Sequence, residues 1–268
     1  MIIIDLFLMS YILNKFFCSK FLYLMNCSKH LQFNYKELKI PNSMGLSISI
    51  TQIVLLIFIF VYYNDYNMII IILCGSLVSF MGILDDFLGN DSKGLKEHLL
   101  EFLNGKITTG FLKIILGFIS SIFTSYLFYN NFCMFFLDVF IICLSINTLN
   151  LLDVTPGRAL KFFYIISLFI LILTSYNNYD VLIIMIIGSS LAYFPLDIKG
   201  KSMLGDIGAN LLGFYLGVSL IINNINKFVI VFILLILNLL SEKISLSYII
   251  KNNKILNYID YLGRGDGG

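Results

Sequence analysis

Residues Met68–Gly89 read MIIIILCGSLVSFMGILDDFLG. From Met68 to Leu84 no residue is charged, and then Asp85 and Asp86 stand side by side. A spanning α-helix needs roughly 20 mainly apolar residues. A carboxylate at the centre of such a helix costs about 2.5–3.5 kcal/mol on insertion scales, and less near an end. The stretch therefore reads as a membrane-spanning helix that delivers two carboxylates to one surface of the bilayer. Apolar runs of the same kind recur at about 2–25, 44–64, 67–84, 111–129, 131–150, 159–175, 179–196, 205–222 and 227–241. The expected fold is all-α: a polytopic transmembrane helical bundle of nine spans, with eight or ten also allowed. The first run is interrupted by Lys15 and Lys20, and the last is short. The chain is expected to be one membrane-embedded domain over 1–268, with a tail from about 242.

Composition agrees. Of 268 residues, 59% are hydrophobic and 13% charged, with a mean hydropathy of +0.90. Soluble domains carry about 25% charged residues, so this chain has too little polar surface for a water-soluble body. A net charge of +2, without a basic stripe interleaved with aromatics, excludes nucleic acid as a partner. Cys18, Cys27, Cys74, Cys133 and Cys143 are scattered and form no CxxC pair, which argues for packing and against a disulfide or zinc framework. The opening MIIIDLFLMSYIL lacks a basic region and a cleavage site, so a retained first span is expected.

Orientation follows from where Lys and Arg fall. The connections NDYN, YNN, YNNYD and NNINK, near 64–67, 129–131, 176–180 and 222–227, hold one basic residue, Lys227. The opposite connections hold Lys29, Lys36, Lys39, Lys93, Lys96, Lys106, Arg158, Lys161, Lys199 and Lys201, and the tail adds Lys243, Lys251, Lys254 and Arg264. This asymmetry puts the long loops and the C-terminus in the cytoplasm and the N-terminus outside. Within the loop DSKGLKEHLLEFLNGKITTG, residues Leu95, Leu99, Phe102 and Leu103 recur at helical spacing, and Asn104-Gly105 supplies a stop. A short helix lying in the interface is expected there.

Three acidic clusters fall at cytoplasmic helix ends. Asp85 and Asp86 repel one another and call for a cation; hard oxygens suit Mg²⁺. Asn147, Asn150 and Asp153 step by three along the end of the fifth span, before Pro156-Gly157 breaks the helix and Arg158 follows. In KGKSMLGDIGAN (199–210), Asp206 opens a helix, where it would also serve as a cap. Ala209, Gly213 and Gly217 give the small-xxx-small spacing that lets a neighbouring helix approach. Asp138 lies inside a span with no evident partner, and His30 and His98, the only histidines, read as surface residues.

Taken together, these clusters resemble the polyprenyl-phosphate N-acetylhexosamine-1-phosphate transferases. That family has an aspartate pair closing a helix (GILDDFLG, 82–89), an NxxNLxD stretch (NTLNLLD, 147–153) and a GDxG segment opening a later helix (GDIGAN, 205–210). Its basic, Pro- and Gly-containing first cytoplasmic loop is matched by KELKIPNSMG, 36–45. The resemblance implies attack by a polyprenyl phosphate such as undecaprenyl phosphate on the β-phosphate of a UDP-sugar, releasing UMP, in cell-envelope glycan synthesis. It further implies Asp85, Asp86 and Asp206 as catalytic residues, with Mg²⁺ on Asp206 and one of the pair, taken as Asp86. Asn147, Asn150 and Asp153 would contact the nucleotide, and Lys36, Lys39, Lys199 and Lys201 the phosphates. The expected location is the cell membrane, multi-pass, with the active site on the cytoplasmic face, among membrane lipids; a homodimer is allowed. Many members carry a second aspartate where Pro156 stands here, and a late histidine motif, whereas no histidine follows His98. These departures point to a donor simpler than a muramoyl-pentapeptide.

Three other readings compete. A catalytically degraded relative would bind polyprenyl phosphate or a partner without turnover. A membrane prenyltransferase would use Asp85, Asp86 and Asp91, but a second aspartate-rich motif is missing. A transporter would hold its site near the midplane, whereas these carboxylates sit at one face.

Overall fold

The computed structural model describes residues 2–34, 36–89, 101–223 and 225–264. The order is α1 (Ile2–Cys27), β1 (Leu31–Phe33), β2 (Lys39–Pro41), α2 (Gly45–Tyr63), α3 (Tyr66–Leu88), α4 (Thr109–Leu127), α5 (Phe132–Leu152), α6 (Arg158–Leu173), α7 (Asp180–Ile198), α8 (Gly205–Ile222), α9 (Lys227–Lys243), α10 (Leu246–Asn252) and α11 (Lys254–Tyr261). Helices α1 to α9 stand where the nine apolar runs lie. Six of them, α2, α3, α4, α5, α7 and α8, are long and apolar enough to cross a membrane by themselves. Helices α6 and α9 have 16 and 17 residues. The chain is an all-α polytopic bundle.

Short Asn- and Asp-bearing connections start several of these helices. Asp65, Asn131 and Asn226 are the N-caps of α3, α5 and α9, each accepting a backbone N–H from the first turn. Polar and apolar residues are distributed as lipid requires. Ile172, Val61 and Phe232 are exposed on the outside of the bundle, whereas Ser47, Thr51, Ser121 and Thr124 are buried between helices.

At the centre runs α8, with 16 of its 18 residues buried. Small residues let its neighbours reach it. A Cβ on Gly213 would stand 2.5 Å from Ile146 Cα of α5, and one on Gly82 of α3 would stand 2.4 Å from Ile207 Cα of α8. Gly217 meets α5 in the same way as Gly213.

Several features of the fold lie beyond the sequence reading. The first cytoplasmic loop folds into an antiparallel hairpin, with Leu31 opposite Pro41 and Phe33 opposite Lys39. Its turn is held by the Asn34 carboxamide, which accepts the backbone N–H groups of Lys36 and Leu38. Helix α3 runs on to Leu88, past the apolar run that stops at 84, so Asp85 and Asp86 lie in its last turn. Asp138 has a partner: Lys227, in the first turn of α9, reaches it at 2.6 Å. Finally, Arg264 is anchored, donating to Pro156 O and Thr155 Oγ1 at 2.9 Å. Of the expected interfacial helix, residues 90–100 lie outside the described residues, as do Asp91, Lys93, Lys96 and His98. Its stop at Asn104-Gly105 is a turn with Gly105 at φ +78°.

Candidate active site

Four helices bring their polar residues to one point. From α3 comes Asp85, whose Oδ1 accepts from Thr109 Oγ1 at 2.8 Å. From α4 comes Lys113, whose ammonium lies 3.4 Å from Asp85 Oδ2 and also pairs with Asp206 Oδ2 at the start of α8. From α5 comes Asn150. With its amide turned to satisfy both neighbours, it donates to Asp206 Oδ1 at 2.8 Å and accepts from Lys113 Nζ at 3.1 Å. Asp206 is not the cap of its own helix: the N-cap position of α8 is Leu204, which makes no side-chain cap bond. Its carboxylate is turned into the cluster instead.

Asp86 points the other way around α3 and is held by protein donors. Ser43 Oγ donates to its Oδ2 at 2.7 Å, the Asp206 backbone N–H donates to its Oδ1 at 3.2 Å, and the Asn42 amide lies 3.4 Å from Oδ1. Ser43 itself approaches His30 Nε2 at 2.9 Å, and the His30 ring lies flat on Phe87, 3.9 Å between centroids and 2° between planes. The turn carrying Ser43 is strapped to the entry of α8: Met44 N–H donates to Met203 O and Gly45 N–H to Leu204 O. Gly205 is required at this crossing. Its φ is +74°, and a Cβ there would stand 2.6 Å from Asp86 Oδ2 and 2.9 Å from Ser43 Cα.

Beside the cluster, Asp153 follows the last turn of α5. Burial, then the charges of Asp197, Asp206 and Asp86, push its pKa well above the ordinary carboxylate range. It lines an open cleft with Asn34, Thr155, Asp197, Ser202 and Met203. Asp197 is buried and accepts the Gly157 backbone N–H at 2.7 Å, which fixes the turn after Asp153. Lys36, Lys39, Lys199 and Lys201 are exposed, and Lys39 lies over the Phe33 ring at 5.2 Å. Lys39 and Lys201 flank residues of the cleft, Ile40 and Ser202.

The structure thus brings together Asp85, Asp86, Asn150, Asp153 and Asp206, but not Asn147. A step of three along a helix turns the side chain by about 60°, and Asn147 donates to Asn238 Oδ1 of α9 at 2.5 Å. Sequence reasoning missed Lys113, although an ammonium inside an apolar run demands a partner. It also took His30 for a surface residue and passed over Ser43, whose pairing with it depends on a left-handed turn, with Ser43 at φ +64°, that no local pattern announces.

Among the described residues, no three His, Cys, Asp or Glu side chains are grouped to hold a metal ion by themselves. Yet Asp85 Oδ2, Asp206 Oδ2 and the Asn150 amide oxygen already converge on one cation, the Lys113 ammonium. This all-oxygen set suits a hard dication, so the residues present fit Mg²⁺.

Fold and site define a polytopic membrane protein with an anionic cluster and an embedded lysine at one end of its bundle. The family model described as "Glycosyl transferase family 4" matches residues 68–224, over half of the chain and all of the cluster except the loop carrying Ser43. The chain belongs to that family, whose members transfer a sugar phosphate to a lipid carrier. No curated protein matches it.

Proposed function

We propose that this protein transfers a sugar-1-phosphate from a UDP-sugar to a polyprenyl phosphate such as undecaprenyl phosphate, releasing UMP, in cell-envelope glycan synthesis. Nine spans with the N-terminus outside would place the cluster on the cytoplasmic face of the cell membrane, where a lipid nucleophile meets a soluble nucleotide. The observation that carries the reading is the convergence of Asp85, Lys113, Asn150 and Asp206. Two anionic phosphorus centres must approach one another in this reaction, and fixed positive charge must meet them there.

Mg²⁺, when bound, would neutralise phosphate charge in the transition state. Asp206 is its natural ligand. Of the adjacent pair, the geometry favours Asp85 over Asp86, because Asp85 and Asp206 already share a cation. Asp86, held by Ser43 and the Asp206 N–H, is then left to orient the lipid phosphate or take its proton. Asp153 lines the cleft that we assign to the nucleotide, Asn150 stands one turn before it on α5, and Lys36, Lys39, Lys199 and Lys201 are exposed cations available to the phosphates.

One feature favours a non-catalytic relative as the second reading: Pro156 stands where many members have an aspartate. The deciding experiment incubates detergent-purified protein with undecaprenyl phosphate, Mg²⁺ and a panel of UDP-sugars and measures UMP. Asp206→Asn and EDTA serve as controls. UMP from one donor, lost in both controls, supports the transferase and names the sugar. No UMP from any donor, with protein that still binds the lipid phosphate, establishes the non-catalytic relative.

A further inference from the structure

We propose that His30 is a positioning residue for Asp86 and acts through Ser43. The consequence for turnover rests on the transferase reading above; the hydrogen-bond relay itself does not.

The proton count along the relay fixes its direction. The Ser43 hydroxyl has one proton, and it is directed at Asp86 Oδ2, 2.7 Å away. Its lone pairs must therefore receive the third member, so His30 Nε2, 2.9 Å away, carries a hydrogen and donates. In the neutral ring this leaves Nδ1 bare. A hydroxyl that accepts from an imidazole becomes a better donor to the carboxylate, so the chain tightens as a unit.

Three independent features hold the relay in place. Ser43 is fully buried, and its backbone sits in the left-handed region at φ +64°, which a serine adopts at a cost. Asn42 N–H donates to the His30 carbonyl at 3.2 Å, so backbone and side chain of His30 both fasten to the same turn. The His30 ring stacks on Phe87, the residue after Asp86, and this couples the ring to the end of α3. The hairpin between Leu31 and Pro41 brings His30 back over this turn from the end of α1.

Two substitutions separate hydrogen bonding from packing. His30→Phe keeps a flat ring for Phe87 and removes the donor; His30→Gln keeps a donor of similar reach and removes the ring. Partners that orient metal-site ligands are worth about 10–100-fold in activity, and the same order is expected for the partner of a carboxylate beside such a site. The expected result is a kcat for UMP release 10–100-fold lower in His30→Phe and in Ser43→Ala, with KM for the UDP-sugar unchanged and His30→Gln near wild type. Full activity in His30→Phe, or a His30→Gln as slow as His30→Phe, overturns the proposal.

The second readout needs no turnover. The chain has two histidines, so imidazole ¹⁵N NMR of the full-length protein at mildly alkaline pH shows two ring systems, and His98→Gln assigns them. A His30 ring protonated on Nε2, with signals that move in Ser43→Ala, supports the relay. A proton on Nδ1, or signals indifferent to Ser43→Ala, overturns it. If the wild type releases no UMP from any donor, the transferase reading fails while the relay still stands or falls on the spectrum.

Discussion

At the scale of single residues, Lys113 is the hinge of the cluster. Removing its ammonium leaves Asp85 and Asp206 facing each other across a partly buried gap with only neutral donors between them. Fixed charges of this kind are worth about 10²–10³ in turnover, so Lys113→Met is expected to lower UMP release by about 100-fold or more. Steady-state UMP assays check this, and a loss below tenfold would reject a role at the reacting phosphates. Asp153 behaves oppositely with respect to stability. Its pKa is raised by burial and then by Asp197, Asp206 and Asp86, so the folded state holds the Asp153 proton more tightly than the unfolded state does. Stability is therefore lost as pH rises from the ordinary carboxylate range through this raised pKa. Asp153→Asn removes that cost and is expected to raise Tm by a few degrees, about 2–4 °C per kcal/mol, with the gain growing as pH rises. The same substitution is expected to impair UMP release, because residues strained by like charge at a site are kept for function at the expense of stability. Thermal scans at several pH values decide it: a Tm unchanged or lowered at neutral pH would contradict the account.

Between elements, the site depends on how closely α8 is approached. At Gly213 an added side chain meets the Ile146 backbone, which cannot move aside as a flexible side chain could. Gly213→Leu should separate α5 from α8, pulling Asn150 away from Asp206, at a cost of about 1–3 kcal/mol or more. Gly117 of α4 has nothing within 4 Å of its would-be Cβ, so Gly117→Leu should leave thermal stability and UMP release unchanged. Equal damage from both would refute the close-approach argument. The tail tests a different contact. Asp260 of α11 takes both arms of Arg158, at 2.9 and 2.8 Å, and a third bond from Arg264 at 2.7 Å. Burial alone would raise the Asp260 pKa, but Arg158 and Arg264 outweigh it and hold the carboxyl below its usual value. A depressed pKa gives stability that is present above the free-carboxylate value and lost as pH falls through the docked one. Tail docking should thus persist at neutral pH and fail only in acid, below about pH 4. Breaking a buried pair from one side costs about 3–5 kcal/mol, so Asp260→Asn should free α11 already at neutral pH. Limited proteolysis of the tail measures this directly. Such a pairing could not be read from the sequence, since Arg158 and Asp260 lie 102 positions apart and nothing local marks them as partners.

For the whole molecule, what could be read in advance follows the physics of the bilayer. Apolar run length located α1 to α9, and the expense of a carboxylate near lipid singled out Asp85, Asp86, Asp153 and Asp206. What escaped, the pairing of Ser43, His30 and Lys113 with these carboxylates, depends on tertiary contacts and on a left-handed turn. Which way the bundle faces is a separate question, and two native cysteines can answer it. Cys27 closes α1 on the side of the basic loops, Cys133 opens α5 on the side of the Asn-rich connections, and both are exposed. Cys18 and Cys74 are buried and Cys143 is partly so. The Lys and Arg asymmetry sets orientation through the cost of moving cations across the membrane. A membrane-impermeant maleimide added to intact cells should therefore label Cys133 and spare Cys27, which should react only after permeabilisation. Cys27→Ser and Cys133→Ser variants identify each signal. The reverse pattern would place Asp85, Asp86 and Asp206 on the outer face, where no cytoplasmic UDP-sugar could reach them, and would end the transferase proposal on topology alone.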